Sequence, residues 1–334
     1  MPRQVPDNQP SASSFRGSAE KEAHTGTDSR PVVLITGASS GIGRATAHAY
    51  ARRGALIAEP GRGGGLAGPV HLVLAARAMQ SLTDVQRECL AYGSTAMVVA
   101  TDVSDQDSVQ ALFDAAVARY GRVEAVVHSC AVVAYGRFPD VPPAVFDQVL
   151  ATTLNGTANV ARAALRLFES QGAGRLVIVG SLLGKIATPL MSAYVTAKWG
   201  VHGLVRVLQI EARQTPGIEV SLVWPGSVDT PTYQQSATYV GRMGRPPPPI
   251  VSPEKVARTI VRAVEEPRRE SSVGCANLVM LAGFRFFPGV FDRLVGPLMR
   301  VAGLTGPRVA ATPGNVFEPN PSGDALYGNW KRRS

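Results

Sequence analysis

Tyr194 and Lys198 stand four residues apart, so on a helix their side chains share one face and can meet. A phenol with its ordinary pKa of about 10 is a poor acid–base group at neutral pH. A nearby ammonium favours the phenolate and lowers that pKa, and the phenol can then give a proton to a carbonyl oxygen or take one from an alcohol. Ser181 closes an apolar run that reads as a strand, and its hydroxyl can hold the same oxygen. Upstream lies Gly37-Ala38-Ser39-Ser40-Gly41-Ile42-Gly43, placed between the apolar run Val32 to Thr36 and a helical segment. Glycines in such a turn let the backbone approach a pyrophosphate, whose charge suits a helix N-terminus. A Tyr–Lys pair alone is usually an exposed helix pair, and a glycine turn alone often serves geometry. Together they describe one chemistry, in which a nucleotide carries a hydride and a side chain carries the proton.

The elements that must position these groups alternate regularly. Strands are expected at Val32–Thr36, His71–Ala75, Ala96–Ala100, Val123–His128, Arg175–Gly180 and Ile218–Val223. Helices are expected at Ala45–Arg53, Met79–Tyr92, Asp105–Tyr120, Pro143–Ser170, Ser192–Gln214 and Pro253–Glu266. This spacing predicts an α/β fold, a doubly wound parallel sheet with helices on both faces and its ligands at the carboxyl ends of the strands. Residues 1–30 are polar and aperiodic and read as a disordered tail. The domain should span 31–282, with a glycine-rich surface insertion at 56–70 and a long loop at 230–252. Residues 283–334 form an extension, first apolar, then polar and poorly ordered by its composition.

Composition excludes several classes. No run is long and apolar enough for a membrane span, and the first thirty residues lack the apolar core of a secretory signal. Cys89, Cys130 and Cys275 are too far apart in sequence to suggest a metal site or a disulfide framework, so reduced thiols, no metal and a cytoplasmic location are expected. The net charge of +9 is scattered rather than striped, so no nucleic-acid partner is expected, and a phosphate-rich cofactor would suit it.

These motifs together resemble the short-chain dehydrogenase/reductase family. The resemblance rests on Thr36-Gly37-x-x-x-Gly41-Ile42-Gly43, Asp102-Val103, Ser181, Tyr194-x-x-x-Lys198 and Pro225-Gly226, with thirteen residues from Ser181 to Tyr194, and it covers roughly 31–270. It implies a seven-stranded Rossmann sheet, a nicotinamide cofactor and a homodimer or homotetramer. It also implies that Lys198 binds the nicotinamide ribose, that Asp102 and Val103 meet the adenine, and that Thr230 meets the carboxamide. Two places depart from the pattern. His128-Ser129-Cys130-Ala131 stands where family members usually have Asn-Asn-Ala-Gly, and Thr153 stands where they usually carry a catalytic asparagine. Thr153 is therefore expected to rebuild the proton relay, because Asn155, two residues on, faces elsewhere.

The second strand runs into Leu74-Ala75-Ala76-Arg77, with no acidic residue to bind a ribose 2′-hydroxyl and repel a 2′-phosphate. Arg77, with Ser39 and Arg44, is expected to pair with that phosphate, which predicts NADP(H), with NAD(H) possible. The expected substrate is a carbonyl compound or alcohol, walled by the 230–252 loop and residues 283–304, whose apolar content favours a hydrophobic one. The latter segment mixes Phe284, Phe286, Phe287, Val290, Phe291 and Leu294 with Arg285, Arg293 and Arg300. It suits a lid or subunit contact better than a membrane-surface helix, because Gly289, Gly296 and Pro297 weaken a continuous helix. The alternative to an active enzyme is a regulatory or scaffold protein that binds nucleotide with little or no turnover.

Overall fold

The computed structural model describes residues 30–56, 66 and 68–330. All but the last residue of the expected tail at 1–30 and most of the insertion at 56–70 lie outside the described residues.

Seven strands form one sheet: β1 (Val32–Thr36), β2 (His71–Ala76), β3 (Thr95–Ala100), β4 (Ala125–His128), β6 (Gly174–Val179), β7 (Ile218–Pro225) and β9 (Glu270–Val273). Their order is β3-β2-β1-β4-β6-β7-β9, and every pair is parallel. The order reverses between β1 and β4, where Thr36 lies level with both Ala75 and His128. Crevices for ligands open at such a switch point, beyond the carboxyl ends of the strands. A separate two-stranded pair joins β5 (Ala134–Tyr135) to β8 (Ala237–Thr238), the latter inside the long 230–252 loop.

Side-chain alternation along β1 builds the layers. Val33 and Ile35 face one core with Tyr50, Leu82, Val256 and Ile260. Val32 and Leu34 face the other with Leu112, Phe113, Phe168, Val201 and Val205. The first core is covered by α1 (Gly41–Leu56), α2 (Met79–Ala91) and α7 (Pro253–Glu265); the second by α3 (Gln106–Tyr120), α5 (Gly156–Gln171) and α6 (Ser192–Glu211). In α7, Val256, Ile260 and Val264 recur every four residues and are fully buried. Asp105 caps α3, its carboxylate accepting from the Asp107 amide, and Gly121 ends it at φ 81°.

Three features differ from the expectation. The seventh strand, Glu-Ser-Ser-Val, is a polar, half-exposed sheet edge without apolar periodicity. The single helical region expected at 143–170 is divided into α4 (Pro143–Leu150), a π-helical turn at Ala151–Asn155, and α5. Beyond β9 the chain forms α8 (Asn277–Phe286) and α9 (Pro288–Leu298) before the polar segment. Among the described residues, no helix is long and apolar enough to cross a membrane.

Candidate active site

Strand β6 delivers Ser181 just beyond its carboxyl end, and α6 delivers Tyr194 in its first turn, Lys198 one turn later and His202 one turn further. The Ser181 hydroxyl accepts from the Leu183 amide at 3.1 Å, and the Ser181 amide donates to His202 Nε2 at 3.3 Å. Lys198 is 3% exposed; its ammonium donates to the Val179 carbonyl at 2.8 Å and lies 5.8 Å from the centre of the Tyr194 ring. The sequence thus brings the expected triad to one wall.

The electrostatics correct one expectation. Burial pushes the Tyr194 phenol up to about 12, with the Ser181 hydrogen bond opposing it. Burial likewise pulls Lys198 down to about 8. Desolvation penalises each charged form and outweighs the attraction expected between the ammonium and the phenolate. At neutral pH the protein without ligands therefore holds a protonated phenol beside a lysine that still carries most of its charge.

Ser181, Tyr194 and Lys198 face a cavity of about 260 Å³. Its other walls are largely apolar: Ile186 and Met191 before α6, Tyr233 from the long loop, Met280 from α8, and Val295 and Met299 from the extension. Pro225 and Gly226 line it too. Both segments expected to wall the pocket do so. The inner face of α9 is buried through Phe291 and Val295, whereas Phe286, Phe287, Val290 and Leu294 point outward and are exposed.

A second space of about 150 Å³ adjoins the first, sharing Ile42, Ser129, Ala131, Thr230 and Thr232 with it. Gly37, Ser39, Ser40, Gly41, Ile42 and Gly43 form its floor, and Arg77, Asp102 and Val103 stand along its side. Gly37 has φ +74°, and a Cβ there would sit 2.8 Å from Ser129 Oγ; one on Gly43 would collide with the Gly37 carbonyl. Gly37 and Gly43 thus have no room for side chains, and the Ile42 and Gly43 amides at the start of α1 have no acceptor among the described residues.

Three expected site residues sit differently. Arg77 lines the cleft, but its guanidinium is held by the extension: Nη2 donates to the Asn315 carbonyl at 2.6 Å and Nη1 to the Phe317 carbonyl at 2.9 Å and the Val316 carbonyl at 3.3 Å. The sequence-based expectation of a phosphate partner for Arg77 did not include these carbonyl partners. Arg44 lies off the cleft, in a salt bridge with Glu88, because the start of α1 turns it toward α2. Thr153 is fully buried in the π-helical turn, lines neither space, and accepts from the Val132 amide at 3.3 Å; its neighbour Thr152 lines the cleft.

Sequence reasoning noted His128 and the polar end of the chain without giving either a place at the site, and did not single out His202. His128 replaces the usual asparagine by bridging buried hydroxyls, with Nδ1 2.8 Å from Thr36 Oγ1 and Nε2 3.0 Å from Thr157 Oγ1. Burial pulls it down to about 3, so it stays neutral. His202 falls at the same helical spacing after Lys198 as Lys198 after Tyr194, a signal that was present in the sequence. The end of the chain, expected to be poorly ordered, instead places Asn315, Pro319, Asn320 and Asp324 on the cleft wall.

The family model described as short chain dehydrogenase matches residues 65–239. An uncharacterized oxidoreductase, YxnA of Bacillus subtilis (strain 168), is 32% identical over 273 residues, which cover 80% of this chain and 72% of that protein. Sepiapterin reductase of Chlorobaculum tepidum is 31% identical over 240 residues, covering 71% of this chain and 91% of the reductase. Among solved structures, an alcohol dehydrogenase from the archaeon Thermococcus sibiricus, complexed with 5-hydroxy-NADP, aligns with a TM-score of 0.60 at 25% identity, over 73% of this chain and 96% of that one. The chain belongs to the short-chain dehydrogenase/reductase family and is an oxidoreductase enzyme.

Proposed function

We propose that this enzyme transfers a hydride between NADP(H) and a ketone, aldehyde or secondary alcohol, with Tyr194 as the general acid–base. The observation that carries the reading is the meeting of Ser181, Tyr194 and Lys198 on one wall of an apolar cavity that adjoins the glycine-floored cleft. The cleft fits a dinucleotide: it offers two unpaired helix-terminal amides and a turn whose Gly37 and Gly43 leave no room for a Cβ. When bound, the nicotinamide supplies or accepts the hydride. In the reducing direction the Ser181 hydroxyl orients the carbonyl oxygen, and the Tyr194 phenol, held protonated by burial, gives that oxygen its proton as the carbon gains the hydride. The phenolate left behind faces the Lys198 ammonium and regains a proton from solvent; oxidation runs the same steps backward. Lys198, Asp102, Val103 and Thr230 are assigned to the cofactor, and Thr153 to the proton supply behind the site. The apolar walls suit an apolar substrate, and the exposed outer face of α8 and α9 offers surface for a homodimer or homotetramer contact.

The preference for NADP(H) rests on Arg77 and on the absence of an acid at the end of β2. With three carbonyls on Nη1 and Nη2, the guanidinium keeps Nε–H and one Nη2–H for a phosphate. Initial rates of NADPH and NADH oxidation over a panel of apolar ketones and aldehydes, for wild type and Arg77→Ala, test the assignment. Wild type should prefer NADPH, and Arg77→Ala should lose about tenfold in kcat/KM with NADPH, the scale of one charge-assisted contact, and little with NADH. Equal losses, or a native preference for NADH, would remove the NADP(H) assignment. Tight binding of both with no turnover across the panel would favour a regulatory nucleotide-binding role.

A further inference from the structure

Residues 312–330 contain no regular element beyond one helical turn at Pro321–Gly323, yet both ends are pinned. At the near end, Thr312 and Thr238 exchange backbone hydrogen bonds of 2.9 and 3.1 Å, and Val316 is fully buried beside Val132 and Ala134. At the far end, Trp330 is 2% exposed, its amide donating to Asp229 Oδ1 at 3.0 Å and its indole N–H to the Thr230 carbonyl at 3.2 Å. Between these anchors the chain crosses the dinucleotide cleft, with Asn315, Pro319, Asn320 and Asp324 on its wall.

Buried Gln235 ties this crossing down. Its side-chain oxygen accepts from Asn315 Nδ2 at 2.9 Å, its amide nitrogen donates to Asp324 Oδ1 at 3.2 Å, and its backbone carbonyl accepts the Asn315 amide at 2.8 Å. Two more contacts reach the cofactor machinery. Arg77 is gripped by the carbonyls of 315–317, and the Gly41 amide, at the start of α1, donates to the Ala325 carbonyl at 3.0 Å. A buried amide pairs because leaving it unpaired is costly, so the crossing is a built part of the cleft rather than a tail resting on it.

We infer that residues 315–325 are the outer wall of the cofactor site: a dinucleotide is enclosed between the glycine turn and this segment, touches Asn315, Asn320 and Asp324, and leaves only when the segment lifts. The inference rests on the reading of the cleft as a nicotinamide-dinucleotide site. The chemistry of the three residues divides the contacts. A carboxylate accepts hydrogen bonds, so the partner of Asp324 is a hydroxyl or amine of the dinucleotide and not a phosphate, whereas the two asparagine amides can donate to phosphate oxygens.

Two measurements on the full chain test this without relying on turnover. The first is hydrogen exchange with and without saturating NADPH. The amides of 315–325 should slow by at least about tenfold, as expected when local opening must also release the ligand. The second is stopped-flow release of NADPH, followed by its fluorescence, from wild type and Trp330→Ala. Loss of the far anchor should speed release about tenfold while leaving the circular dichroism of the cofactor-free protein unchanged. NADPH binding with unaltered exchange at 315–325, or an unchanged release rate in Trp330→Ala, would overturn the enclosing wall and leave the cofactor reading standing. If neither NADPH nor NADH bound at all, the cofactor reading would fall and this inference with it.

Discussion

Lys198→Met removes a buried ammonium whose burial has a measurable consequence for stability. Burial pulls Lys198 from 10.5 down to about 8, so between these pH values the unfolded chain binds more protons than the folded one. Stability contributed by this group therefore rises with pH, being lowest below about 8 and recovered above 10.5. At 1.36 kcal/mol per pH unit the full window is worth about 3 kcal/mol, and the part between pH 7 and pH 9.5 about 2 kcal/mol. The other groups titrate in both proteins, so the difference between wild type and Lys198→Met isolates this one. Urea unfolding of the cofactor-free proteins, followed by tryptophan fluorescence, should show wild type gaining about 2 kcal/mol on the variant as pH rises from 7 to 9.5. With a urea slope of about 3 kcal/mol/M this is a relative midpoint shift of about 0.7 M. Parallel pH responses in the two proteins would refute the placement of an ammonium in a desolvated pocket.

Thr153→Val deprives the Val132 amide of its acceptor and is expected to cost about 1 kcal/mol in the same unfolding assay. It should also lower turnover about tenfold, and Thr153→Asn should restore it; unchanged turnover per folded enzyme would confine the hydroxyl to holding Val132. His202→Leu leaves the Ser181 amide without its partner, so kcat should fall about tenfold with cofactor Kd unchanged, and His202→Gln should recover part of it. A matched fall in kcat and cofactor affinity would show a general loss of structure instead of a positioning role for His202.

The fold was legible wherever its strands are buried on both faces, because Val32–Thr36 and its counterparts then read as plain apolar runs. The polar edge strand at Glu270–Val273 was not, since its residues follow its neighbour β7 rather than a pattern of their own. The glycine turn and the Ser181–Tyr194–Lys198 set were legible because close approach and helical spacing constrain residue type. The crossing at 315–325 was not, because Asn315 and Asp324 are held by Gln235, 80 and 89 residues distant in sequence, and polar residues held by long-range hydrogen bonds look the same as polar residues in water. The carbonyl partners of Arg77 in 315–317 were not legible for the same reason. The sign of the Tyr194 shift was missed because spacing reports which charges are near and not how much water remains.

The central claim, that the Tyr194 oxygen carries the proton, is tested most directly by Tyr194→Phe on a substrate identified from the carbonyl panel. The ring and its packing remain, so thermal stability and NADPH affinity, from fluorescence titration, should match wild type. The expected fall in kcat is about 10²–10⁴-fold, the range for loss of a positioned general acid–base. Unaltered NADPH affinity with kcat reduced by that amount is the predicted result. Near wild-type kcat in Tyr194→Phe would contradict the account.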